Sequence, residues 1–198
     1  MRLCLLLLLT VCGLPAYTQQ NCFQKELVDI ADWFHEEPAE REYCVETYVN
    51  SVVGCKIPAI TATTQQGTII NTDSLLGKVV VLNFWFTMCK PCLTEFPSLN
   101  KLATEFADSG VVFLSFAWDK KEKLDTFLLT HQLAYQVIPN AKALADTFRI
   151  LPYPTNMIVS RQGRVTAVQH GGAITPDKAL ENYDKLKPLL LAALQQRP

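Results

Sequence analysis

The stretch GKVVVLNFWFTMCKPCLTEFP, residues 77–97, decides the fold. Its first part, through Phe86, is a near-continuous apolar run, the signature of a central strand buried on both faces. Two cysteines with two residues between them, Cys89 and Cys92, follow at once. From Pro91 to about Ala107 the pattern is helical, with Phe96, Leu99, Leu102 and Phe106 on one face. Pro97 falls in the second turn of that helix, where its ring and missing N–H predict a kink. A paired thiol at a strand-to-helix turn has three competing uses: half of a zinc site, a structural staple, or a redox couple.

Downstream the order repeats. VVFLSFAW reads as a second buried strand and KKEKLDTFLLTHQ as a helix, followed by a short strand at YQVI and a short helix at AKALADTFRI. LPYPTNMIVS is a proline-rich turn entering a strand, RQGR a turn, and VTAVQH the returning strand. The C-terminal TPDKALENYDKLKPLLLAAL is an amphipathic helix with Thr175 as N-cap and Pro176 at its first position, and Pro188 is expected to break its last turns. Upstream, residues 55–77 alternate around QQG and suggest a hairpin. Buried strands joined through helices must pair parallel with right-handed crossovers, whereas two strands joined by a short turn must be antiparallel. The expected class is therefore α/β, a mixed sheet flanked by helices. Residues 21–53 read as two helical segments, interrupted by HEEPAERE.

The chain has 198 residues. Its first stretch has one charge at Arg2, an apolar run from Leu3 to Val11, then small and turn-prone residues, the layout of a secretory signal peptide. That run is too short to span a bilayer comfortably, and no later run is long enough. The expected organisation is a signal peptide over 1–18, a helical extension over 19–54 and one α/β domain over 55–198. A lipid anchor at Cys12 is the alternative, disfavoured by the bulk of Val11 before it. An apolar fraction of 49% with 19% charged residues fits a globular chain. A net charge of −1 and the lack of a basic stripe give nucleic-acid binding no electrostatic support.

Cys22, Cys44, Cys55, Cys89 and Cys92 lie beyond the signal, in a compartment where disulfides persist. Zinc needs four ligands, and neither a second CxxC nor grouped histidines accompany this one, so no metal is expected. A permanent staple closing so small a loop removes little chain entropy. The redox reading explains the position. Cys89 stands where the helix begins, where unsatisfied amides and the helix dipole stabilise a thiolate. Lys90 adds a positive charge, and Pro91 lacks an amide hydrogen that an early helical position does not need. Cys89 is then the nucleophile. Cys92, one turn in and shielded, attacks the resulting mixed disulfide. Glu95 lies three residues past Cys92 on the same helical face.

GKVVVLNFWFTMCKPCLTEFPSLNKL resembles the active-site segment of the thioredoxin superfamily and is similar, more narrowly, to the TlpA/ResA-like exported thiol-disulfide oxidoreductases. NFW before the motif, CxxC, and EFP after it carry the likeness. YPTNMIVSRQGRV matches that family's cis-proline loop and following hairpin. The resemblance spans roughly residues 55–175 and implies a thioredoxin-like fold that exchanges disulfides with protein thiols, without a cofactor. It implies a redox partner protein and an exported, periplasmic location, with secretion or a lipoprotein as alternatives. It puts Pro154, not Pro152, beside the cysteines, with Tyr153 offering its backbone to an extended substrate and Lys90 and Pro91 on the rim. It also implies that Glu95 influences the thiols. Departures are Met88 where tryptophan is usual, Phe86 where a small residue is frequent, and Asn83 where thioredoxin itself has an aspartate. An amide cannot take the proton that Cys92 releases, so another base, or water, must; Glu95 is the candidate, and a solvated helix-surface acid is the alternative reading of it. Phe84 and Trp85 read as core or rim aromatics, Trp118 and Asp119 as a strand end. A thiol peroxidase and a redox-inactive binding module are the alternative functions.

If the two helical segments of the extension fold back on each other, Cys22 at the start of the first meets Cys55 after the second. A Cys22–Cys55 disulfide and a free, largely buried Cys44 are expected, with Cys22–Cys44 as the alternative pairing. Closing a loop of about 30 residues would contribute on the order of 3 kcal/mol.

Overall fold

The computed structural model describes residue 23 and residues 37–150, 152–172 and 175–196. The signal peptide expected over 1–18, and all of the first helical segment but Phe23, lie outside the described residues. The second segment is α1 (Pro38–Val52). Its start falls within HEEPAERE, at Pro38. Pro38 occupies the first turn, where its missing N–H costs nothing, and the Glu40 carboxylate accepts from Glu37 N at 3.4 Å. The expected hairpin is β1 (Thr61–Thr63) and β2 (Ile69–Asn71), antiparallel.

The buried run is β3 (Val80–Trp85), buried at every position. Two short helices follow, α2 (Lys90–Thr94) and α3 (Phe96–Glu105). They break at Glu95, just before Pro97, because a prolyl nitrogen cannot donate to the preceding turn and its ring clashes with it. Then come β4 (Val112–Ala117), α4 (Lys121–Phe127), β5 (Gln136–Ile138) and α5 (Lys142–Thr147). α4 is shorter than its sequence pattern. After Phe127 the chain turns, and His131 stacks on the Phe127 ring at 4.1 Å. β6 (Thr155–Val159) and β7 (Val165–His170) form the last hairpin, through a turn in which Gly163 takes φ +72. A Cβ on Gly163 would also stand 3.1 Å from the Leu76 side chain. α6 (Glu181–Gln195) closes the chain after a single 3₁₀ turn at Pro176–Lys178. Pro188 lies inside α6 and does not break it. It is exposed, as is Asp184, so the carbonyl it leaves unpaired faces water, while buried Leu186 and Leu190 hold the helix on both sides.

The five strands run β5-β4-β3-β6-β7, with β3, β4 and β5 parallel and β6 and β7 antiparallel. Alternation along β3 divides the core. Val81 and Trp85 face α3, α4 and α6; Val80, Leu82 and Phe84 face α1 and α5. Asn83 falls on the Val81 and Trp85 side, between two apolar neighbours on that face. This is a mixed α/β sheet with helices on both faces.

α1 is not set apart from the sheet. Tyr48 and Val52 enter the core, and Tyr48 Oη donates to Phe148 O at 3.2 Å. Gly54 N donates to Val165 O and Val165 N to Cys55 O, so residues 54–57 run along β7. Phe23 meets Phe148 edge-on at 5.7 Å, and Phe148 packs against Phe84 and Phe116. Phe148 thus joins the extension to the central strand. Phe148→Ala should cost about 3–5 kcal/mol, read as a lowered urea midpoint. A loss no larger than that of an exposed-site control would show that the extension is not fixed through this ring.

Candidate active site

The strand-to-helix turn places Cys89 as N-cap of α2, with Cys92 one turn in. The two are disulfide-bonded, with Cα atoms 5.2 Å apart. Cys92 N donates to Cys89 Sγ at 3.3 Å. Cys89 retains 6% exposure and Cys92 none, so only Cys89 can meet a partner molecule without rearrangement. Lys90 is exposed and Pro91 half-buried beside them, and Met88 stands 81% exposed on the rim.

The Tyr153–Pro154 peptide is cis. Gly171 N donates to Pro154 O at 2.8 Å, which draws the chain after β7 against the loop. A Cβ on Gly172 would lie 2.6 Å from Pro91 O and 3.2 Å from Pro154 Cγ. Only a glycine fits there, and the contact shows that Pro154 and Pro91 share one site. Tyr153 forms an aromatic cluster with Phe86 and Trp118: Phe86 stacks on Trp118 at 4.6 Å, and Trp118 Nε1 donates to Tyr153 Oη at 2.8 Å. Trp118 is therefore more than a strand end, as is Asp119. The Asp119 carboxylate accepts from Thr87 N at 2.7 Å, from Thr87 Oγ1 at 3.0 Å and from Lys123, fixing the turn ahead of Cys89. Burial raises the Asp119 carboxyl, but the bonds from Lys123 and Thr87 outweigh it and hold it below the usual carboxylate range.

Glu95 closes α2 and is 1% exposed. It is not a solvated helix-surface acid. Asn83 Nδ2 donates to its Oε1 at 2.9 Å, and Asn156 Nδ2 to its Oε2 at 3.1 Å. Asn182 Nδ2, from α6, makes a short bond to Oε2. Among the described residues no cation pairs with it. Burial pushes the Glu95 carboxyl up to about 8, against three amide donors that pull it down. The amides belong to a polar row. Ser115, Asn83, Asn156 and Gln169 lie opposite one another across β4, β3, β6 and β7. Ser115, Asn156, Gln169 and Asn182 were not singled out by sequence reasoning. The signal was there in the strands, each of which carries one amide or hydroxyl at this register within an apolar run.

Cys55 is disulfide-bonded and buried in the core on the other side of the sheet from Cys89 and Cys92. Its expected partner, Cys22, lies outside the described residues. Cys44 is a free thiol, half-buried rather than largely buried, because it sits on α1 between exposed Tyr43 and buried Val45.

Folded protein holds a proton on Glu95 that the unfolded chain releases near 4.5. Folding then takes up a proton between those values, so this group's contribution is fully present below pH 4.5 and is lost as pH rises toward about 8. Urea unfolding of the oxidised protein should show wild type losing ground to Glu95→Gln across that window and running parallel to it above. Parallel profiles throughout would place the Glu95 ionisation at its ordinary value.

Residues 53–168 match the AhpC/TSA family. The thioredoxin-like protein YneN of Bacillus subtilis is 31% identical over 146 residues, which cover 70% of this chain and 85% of that protein. The thiol-disulfide oxidoreductase ResA of Bacillus thuringiensis subsp. konkukian is 28% identical over 138 residues, 69% of this chain and 79% of that one. A crystal structure of a thiol:disulfide interchange protein of the thioredoxin family from Chlorobium tepidum shares the fold with a TM-score of 0.57 at 23% identity, covering 70% of this chain and 95% of that one. A secreted Mycobacterium tuberculosis disulfide oxidoreductase homologous to E. coli DsbE gives a TM-score of 0.53 at 26% identity, covering 68% and 96%. With its CxxC pair at the helix start, the chain belongs to the AhpC/TSA family and, within the thioredoxin superfamily, is a ResA-like thiol-disulfide oxidoreductase.

Proposed function

We propose that the protein exchanges disulfides with protein thiols outside the cytosol, with Cys89 as nucleophile, Cys92 as resolving thiol and Glu95 as proton acceptor for Cys92. The observation that carries this reading is the pairing of a marginally exposed Cys89 with a fully buried Cys92, followed three residues on by a buried, amide-held carboxylate. In the reducing direction the Cys89 thiolate attacks one sulfur of the substrate disulfide. A mixed disulfide forms and one substrate thiolate leaves. Cys92 then gives its proton to the Glu95 carboxylate and attacks Cys89 Sγ, which releases the second substrate thiolate. Two electrons pass to the substrate, the Cys89–Cys92 disulfide remains, and a redox partner protein regenerates the dithiol. The oxidising direction is the reverse.

A thiol has an ordinary pKa of about 8.5. A carboxyl at about 8 is therefore nearly matched to it as an acceptor, the condition under which general-base transfer is most efficient near neutral pH. The cis Tyr153–Pro154 loop, with Pro91 and Lys90 on the rim, presents backbone to an extended substrate segment, as in strand addition. Among the described residues no helix is long and apolar enough to cross a membrane. Export, to the periplasm in the first instance, rests on the N-terminal signal pattern of residues 1–18, with the secreted relative as support. The peroxidase alternative is weakened because the Thr87 hydroxyl is committed to Asp119, and a peroxide-consumption assay separates the two chemistries. In the same oxidising compartment a Cys22–Cys55 bridge would be structural. Mass mapping of the non-reduced chain should find that peptide pair, and a bridge containing Cys44 would reject it.

Substitution separates the thiols. Cys92→Ser should trap a mixed disulfide at Cys89 with a protein substrate such as insulin, whereas Cys89→Ser should abolish turnover without trapping. Glu95→Gln should slow resolution about 10²-fold at neutral pH. Release of product from Cys92→Ser at the wild-type rate would refute the resolving role.

A further inference from the structure

We infer that Asn182, carried by α6, is a positioning residue of the redox site: its amide holds the Glu95 carboxylate and links it to the loop against Pro91 and Pro154. The inference rests on the reading of Glu95 as proton acceptor given above. The hydrogen bonds around Glu95 run in one sense. Asn83 Oδ1 is taken by the Ser115 hydroxyl at 3.0 Å, and Asn156 Oδ1 by Asn83 at 3.0 Å. Gln169 Oε1 is taken by Asn156 at 3.1 Å, and Asn182 Oδ1 by Gln169 at 3.4 Å. Each asparagine therefore has only its NH₂ to offer Glu95. The cage is all donors, fitted to an anion, and supplies with fixed dipoles the solvation that a counter-ion or water would otherwise give.

Protonated Glu95 needs an acceptor where the cage has none, so protonation must displace one donor. Asn83 and Asn156 are fixed on strands paired on both sides. Asn182 stands in the first turn of α6 and has a second acceptor, Gly171 O at 3.4 Å. Gly171 and Gly172 lie against Pro154 and Pro91. Asn182 is thus the donor that can yield, and its partner on yielding is the segment that borders the cysteine turn.

The titratable groups around Glu95 are few. Cys89 and Cys92 come from α2, and Tyr135, ahead of β5, has a buried hydroxyl without a hydrogen-bond partner that burial and the Glu95 charge keep protonated. β3 and β6 present only Asn83 and Asn156. On β7, His170 follows Gln169, and partial burial of its ring, then the Lys185 charge, lower it against the pull of Glu42. On α6, Tyr183 turns to Glu105 and Lys187.

The test follows the carboxyl C=O band of the oxidised protein by infrared difference titration, where the two cysteines do not titrate. Asn182→Leu, which keeps the volume and removes the donor, should raise the Glu95 midpoint, about a tenfold change in its ionisation constant. Asn182→Asp, which keeps shape and polarity, should hold the last proton of the carboxyl pair above the wild-type midpoint. An unmoved midpoint in either folded variant would reduce Asn182 to packing and overturn the inference. The pH profile of mixed-disulfide resolution then tests the underlying reading separately. Asn182→Leu should shift its limb upward, and in a Glu95→Gln background it should shift nothing. A profile unaffected by Glu95→Gln itself would sink the proton-acceptor role while leaving the infrared result to decide the cage.

Discussion

A carboxylate buried at the start of α3, with no counter-ion among the described residues, constrains much of what surrounds it. An isolated charge in so apolar a place is destabilising unless fixed dipoles replace water. Here three asparagine amides do so in part, and they come from the central strand, its antiparallel neighbour and the C-terminal helix. The register of the sheet is bound to this requirement. A slip of one residue in β6 would remove Asn156 from its place opposite Asn83 and turn it to the other face. The helix break at Glu95 serves the same end, because it ends α2 with the carboxyl directed into the sheet rather than along a continuous helical surface.

The site has two levels. In the proposed mechanism the upper level receives another molecule: Cys89 at the N-cap, exposed Met88 and Lys90, Pro91, and the cis Tyr153–Pro154 loop backed by Phe86 and Trp118. The lower level, to which the same mechanism assigns the proton, holds buried Cys92, Glu95 and the amides. Gly172 joins the levels, since its backbone fills a space between Pro91 and Pro154 that no side chain fits. This division suits a reaction whose first attack needs access and whose second needs a shielded thiol and a nearby base.

Much of this was legible in the sequence. The unbroken apolar run of β3, the helical face of Phe96, Leu99 and Leu102, and the turn at Gly163 each follow from periodicity or turn chemistry and lie where expected. The choice of Pro154 over Pro152 came through the family likeness, and the backbone agrees. Glu95 was visible as a neighbour of Cys92, but not as a buried group. Its burial depends on α6, a partner 87 residues away in sequence, and no local pattern encodes that contact. Asn156, Gln169 and Asn182 escaped notice for the same reason: a lone amide in a strand has meaning only once the register sets it beside another. Pro188 misled because a proline in a helix interior is harmful where its freed carbonyl is buried, and here that carbonyl faces water. α1 looked like an appendage, yet its apolar residues complete the core around Phe148.

Direct titration of the Glu95 side-chain carboxyl in the oxidised wild-type protein, by carbon-13 NMR, tests the central claim most closely. With the Cys89–Cys92 disulfide closed, neither thiol contributes. The account predicts a single ionisation with its midpoint at about 8. A midpoint near the ordinary 4.5 would show that the amides fully offset burial. Glu95 would then be a structural anion, too weak a base at neutral pH to take the proton from Cys92.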